Sequence, residues 1–100
     1  PPYYILLWQG GVYFHNGMYD EAILALKKGL DVSPNAMPLH LRLAACYSLL
    51  GREDEARAEI AQVRKLNPKL SLAYISKMWA YKKQADSDLL INALRMAGMK

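Results

Sequence analysis

The chain has one cysteine, Cys46, among its 100 residues. No internal disulfide can form, and a reducing compartment is the natural expectation. Phenylalanine occurs once, and six glycines with five prolines leave no collagen-like or loop-rich scaffold in view. No apolar run approaches the roughly 20 residues needed to cross a bilayer, so membrane insertion by this segment is not expected. The apolar stretch 3–8 is too short for a span, and it lacks the basic lead and small-residue cleavage site of a signal peptide. A dense basic stripe is also missing. The net charge of +4 drifts gently along the chain, from −1 over residues 1–36 (Lys27 and Lys28 against Asp20, Glu21 and Asp31) to +2 over 37–70 and +3 over 71–100. Nucleic-acid binders usually concentrate their charge more than this, and no nucleic-acid partner is expected. A cytoplasmic location follows, in a parent protein that could itself be membrane-attached. The opening Pro1-Pro2, without methionine, is read as the start of a fragment of a longer protein.

What is present is a period. Tyr13, Tyr47 and Tyr81 stand thirty-four residues apart. The same step separates Gly17 from Gly51, Asp20-Glu21-Ala22 from Asp54-Glu55-Ala56, and Pro34 from Pro68. A turn glycine, a helix-start acid pair, a small packing residue and a chain-breaking proline recur in register, as in a solenoid of helical hairpins. A composition of 53% hydrophobic and 22% charged residues is that of a globular chain. At this length folding buries roughly 65% of the unfolded surface, and stability is on the order of 5–10 kcal/mol.

The apolar spacing and its punctuation predict six helices, over about 3–16, 19–32, 38–50, 53–66, 71–83 and 86–97. Gly17, Gly51 and Gly98 stop three of them. Acids at 20–21 and 53–55 open two others, where the helix dipole favours negative charge. Loops of two to four residues make neighbouring helices antiparallel.

These residues resemble the signature of the tetratricopeptide repeat. In that family a small residue in the first helix of each unit lets its partner approach, and Gly10 and Ala44 hold that place here. An aromatic follows (Tyr13, Tyr47, Tyr81), then a turn glycine (Gly17, Gly51), a small residue in the second helix (Ala22, Ala56) and a closing proline (Pro34, Pro68). The third unit departs, with Met78, Ala85 and Leu90 at three of these places. The resemblance implies an all-α, right-handed α-α superhelix of about six antiparallel helices. Its units would be 1–36, 37–70 and a degenerate 71–100 whose last helix is a cap. Segment 49–58, with 66–72 and the ending Leu94-Arg95-Met96-Ala97-Gly98, is also similar to the C-terminal repeats of bacterial class III adenylate or guanylate cyclase-like proteins and winged-helix regulators. It implies a bacterial signalling parent.

The fold implied by the resemblance lines a concave wall with the first helix of each unit. Its expected partner-binding residues are Leu7, Phe14, His15, Leu41, Arg42, Ile75, Trp79, Lys82 and Lys83. Aromatic and apolar anchors with charge at the margin suit recognition of a peptide or helix. The places that grip a carboxylate in chaperone-binding relatives read Leu7, Gly11, Arg42, Leu72 and Ser76, so chaperone tails are not expected. Two other readings stay open. The segment could be a structural or homodimerising end of a longer solenoid, with Tyr3, Tyr4, Leu7 and Trp8 facing that end. A nucleic-acid contact through Lys77, Lys82, Lys83, Arg95 and Lys100 is the third. No cofactor, metal site or catalytic group is expected: His15 and His40 are twenty-five residues apart without ligand-spaced partners, and Cys46 has no base in view. His40 is read as a packing histidine.

Overall fold

The computed structural model describes residues 2–78 and 84–100, and among them all regular structure is helical: α1 (Tyr3–His15), α2 (Tyr19–Val32), α3 (Met37–Leu49), α4 (Glu53–Leu66), α5 (Leu72–Met78) and α6 (Gln84–Met96). Local chemistry explains the ends. The Met18 N–H donates to the Tyr13 carbonyl, Arg52 to Tyr47 and Met99 to Leu94, at 2.9, 2.8 and 3.1 Å. Each bond closes over a glycine of positive φ: Gly17 at 76°, Gly51 at 77° and Gly98 at 101°. This is the left-handed helix stop that glycine accepts without a Cβ clash. α4 is also matched to its dipole, with Glu53, Asp54 and Glu55 in its first turn and Arg64 and Lys65 in its last.

α1 and α2 form one antiparallel hairpin and α3 and α4 a second, with α3 seated against α2 and α1. Gly10 makes the first hairpin tight. A Cβ there would lie 2.5 Å from Leu26 Cδ2 and 2.7 Å from Cγ, and Leu26 is fully buried. Its neighbour Gly11 is different, since the nearest atoms to a Cβ there are those of the Arg42 guanidinium, at 3.7 Å and beyond. Adjacent Gly→Ala substitutions should therefore differ in sign. Gly11→Ala is expected to raise stability by about 0.5–1 kcal/mol through helix propensity. Gly10→Ala should lose about 1–2 kcal/mol net, because overpacking outweighs that gain. Urea midpoints of the two variants check both.

His40 ties the second hairpin to the preceding loop. Its Nε2 lies 2.8 Å from the Pro34 carbonyl oxygen, and its Nδ1 lies 3.2 Å from the Glu59 carboxylate on α4.

α6 departs from the stacking that the repeat predicts. In that pattern α5 would lie on α3 and α4 as α3 lies on α1 and α2. Among the described residues, α6 makes the extended contact with α3, and α5 packs on α6. Asp86, near the start of α6, lies 3.7 Å from His15 at the end of α1. Past the other end of α6, the Gly98 carbonyl accepts from Arg64 of α4 at 3.5 Å, and the Lys100 carbonyl accepts from the Leu72 N–H at 2.9 Å. α6 therefore runs antiparallel to α3. Ser87, Leu90, Ala93 and Leu94 form its buried stripe at helical spacing. Where the hairpins have the buried alanines Ala22 and Ala56, this helix has the larger Leu90, packed into the common core instead.

α3 is enclosed as a result. All ten residues 39–48 are buried, with α1, α2, α4 and α6 around them. A mostly apolar helix is stable in such a position, and its polar His40 and Arg42 have partners there.

Candidate functional site

α1 is more uniformly apolar than α3, which buries His40, Arg42 and Ser48. The sequence of α1 contains no Asp, Glu, Lys or Arg, yet only Leu6, Gly10 and Phe14 are buried. Tyr4, Ile5, Trp8 and Val12 stand exposed along one side, with Trp8 69% accessible. Beside this stripe lies a cleft of about 370 Å³, lined by Tyr4, Leu7, Trp8, Gly11, Val12, His15 and Arg42. The walls are apolar, and the charge comes from Arg42, which reaches across from α3.

Arg42 is held from several directions. Its Nη1 donates to His15 Nε2 at 3.3 Å. Its guanidinium lies 5.8 Å from the Phe14 ring centroid, within cation–π range. Burial pushes its pKa down to about 10, so it keeps its charge at neutral pH. A His15 ring that accepts from Arg42 at Nε2 carries its proton at Nδ1, which faces Asp86. Arg42, His15 and Asp86 thus link α3, α1 and α6.

His15 titrates below its ordinary 6.5, first because burial disfavours the charged ring and then because Arg42 repels it; Asp86 opposes both. The folded chain therefore binds fewer protons here than the unfolded one. Its contribution to stability is complete above pH 6.5 and is lost as the pH falls from 6.5 through the lowered folded value. Urea midpoints of the wild type should fall over that interval more steeply than those of His15→Gln, whose amide oxygen still accepts from Arg42.

The structure divides the residues expected from sequence. Leu7, His15 and Arg42 line the cleft together. Phe14, Leu41 and Ile75 have no accessible surface and belong to the core. On α3, Leu41 was expected on an open inner wall; it is buried, as are Ala45 and Ser48, on the helix that α6 covers. Trp79, Lys82 and Lys83, together with Tyr81, lie outside the described residues. The cleft also takes in Tyr4 and Trp8, which the sequence reading had set at an end of the solenoid, and adds Val12, for which the signal was the absence of charge throughout α1. Cys46 is fully buried, and burial pushes its thiol up to about 12, so no thiolate forms at neutral pH. Among the described residues no helix is long and apolar enough to cross a membrane.

Two antiparallel helical hairpins in thirty-four-residue register, each closed by a left-handed glycine, define a helical-repeat protein. The tetratricopeptide repeat profile matches residues 13–78, and the chain belongs to that family. Proteins of this family generally act as protein–protein interaction modules. No curated protein matches the chain significantly.

Proposed function

We propose that the chain is a non-catalytic docking module whose partner-binding surface is the open side of α1. The observation that carries this reading is the contrast between the first helices of the two hairpins: α3 is enclosed, and the more apolar α1 leaves Tyr4, Ile5, Trp8 and Val12 uncovered beside a cleft with a buried arginine. Contiguous exposed apolar surface of this kind marks interaction sites. Trp8 and Tyr4 are the expected anchors, since aromatic residues dominate binding energy at interfaces. Leu7 would support them, and Arg42 with His15 would receive a carboxylate or carbonyl group of the partner. The wall of the second hairpin is not part of this surface, because α6 covers it. The similarity of 49–58, 66–72 and 94–98 to signalling-protein repeats supports a bacterial signalling setting.

A displayed library of amphipathic helical peptides tests the proposal, by selection on the wild type and comparison with Tyr4→Ala/Trp8→Ala. Both side chains are exposed, so the variant should keep its fold. Selected peptides should bind with micromolar affinity, about −8 kcal/mol, and lose tenfold or more on the variant. Equal binding to both would remove α1 from the site.

A further inference from the structure

We propose that the open face of α1 pairs with the same face of a second copy of this chain, each copy seating its Trp8 in the cleft of the other. The pairing rests on the reading that this face binds protein, and it names the partner.

The face is complementary to itself in shape. Tyr4, Trp8 and Val12 follow one another at four-residue spacing and form an exposed ridge along α1. Beside that ridge lies a groove, the cleft of about 370 Å³ whose other lining residues are Leu7, Gly11, His15 and Arg42. Gly11 keeps the groove open, because it raises no side chain and the nearest atoms to its Cβ position belong to the Arg42 guanidinium. The space is large enough for an indole. Ridges of four-residue spacing interdigitate when two helices cross at about −50°. A two-fold axis through such a crossing lets each copy be ridge and groove at once. Trp8 is the middle of the ridge, so the axis runs beside it and Tyr4 of one copy faces Val12 of the other.

Charge points to the same occupant. α1 contains no Asp, Glu, Lys or Arg, so two copies meet along it without like-charge repulsion. The cation at the cleft is Arg42, which keeps its charge at neutral pH. A guanidinium attracts the face of an aromatic ring, tryptophan above all, and Arg42 already lies 5.8 Å from the Phe14 centroid. The second copy brings Arg42 an indole, and no carboxylate has to be desolvated with it. On the far side of the ridge, the groove between α1 and α2 is bordered by Glu21 and Lys28, one charge of each sign.

Area sets the strength. Tyr4 and Trp8 are both mostly exposed and together offer on the order of 300 Å². With Ile5 and Val12 the ridge still supplies less than the roughly 800 Å² a side of a standard stable interface. The pair should therefore be weak, with a Kd on the order of 100 μM.

Sedimentation of the full chain over a concentration series, from well below that value to tenfold above it, tests the pairing. The wild type should pass from monomer to dimer. Trp8→Ala removes an exposed side chain, and Gly11→Leu fills the cleft. Each should keep its helical circular dichroism and weaken dimerisation tenfold or more. Met96→Ala, at an exposed position on α6, should dimerise as the wild type does. A wild type that stays monomeric throughout overturns the proposal, as does a dimer that Trp8→Ala leaves unchanged. Association that continues past the dimer also overturns it, because a two-fold pairing closes. If the chain stays monomeric while displayed peptides still depend on Tyr4 and Trp8, the docking reading stands and only the second copy is wrong.

Discussion

Phe14→Ala should lower the unfolding free energy by about 3–5 kcal/mol, a large share of the total for a chain this size. The ring is fully buried and meets Tyr19 at 5.8 Å between centroids and His15 at 4.9 Å. Truncation leaves a void among side chains already packed on every side. It also takes the aromatic face away from the Arg42 guanidinium. The sequence expectation made Phe14 a partner contact, and that role predicts the opposite result: unchanged stability and weakened docking. Equilibrium urea unfolding, followed by circular dichroism, separates the two. A Phe14→Ala chain as stable as the wild type would move this side chain out of the core.

Leu94→Ala should cost about 2–5 kcal/mol. Leu94 is fully buried on α6, in the stripe that faces the common core. Its loss loosens the helix that covers α3, so binding of a hydrophobic dye should rise along with the fall in stability. Met96 supplies the control. It is two residues away on the same helix and 66% exposed. Met96→Ala should stay within about 0.5 kcal/mol of the wild type, as surface changes usually do. Equal effects for the two would mean that α6 does not pack with this face inward.

The fold was largely legible because its information is local. Gly17 and Gly51 announce two helix stops, and both adopt the positive φ expected of them. Paired acids and closing prolines bracket α2 and α4, which run over Tyr19–Val32 and Glu53–Leu66, the spans their spacing predicts. Residues 84 and 85, ahead of the predicted start at 86, are already helical in α6, and the Gln84 amide donates to the Asp88 carboxylate at 2.9 Å. The candidate site was legible only in part. Periodicity marks a residue as apolar without saying which neighbour covers it. Leu41, Ile75 and Leu7 look alike in the sequence; the first two are in the core, and the third lines the cleft beside the open face of α1. The seating of α6 on α3 is a choice made in tertiary packing. The hint available beforehand was negative, in the replacement of a small residue by Leu90.

The enclosure of α3 also sets the order in which the chain opens to solvent. Backbone amides are released to deuterium exchange through the least costly opening available to them. Those at 39–48 have neighbours on four sides, so no single helix can swing away and free them. Their exchange should report global unfolding, while α1, bare along one flank, should exchange sooner. The slowest clock in this molecule then lies mid-chain, well away from the surface offered to a partner.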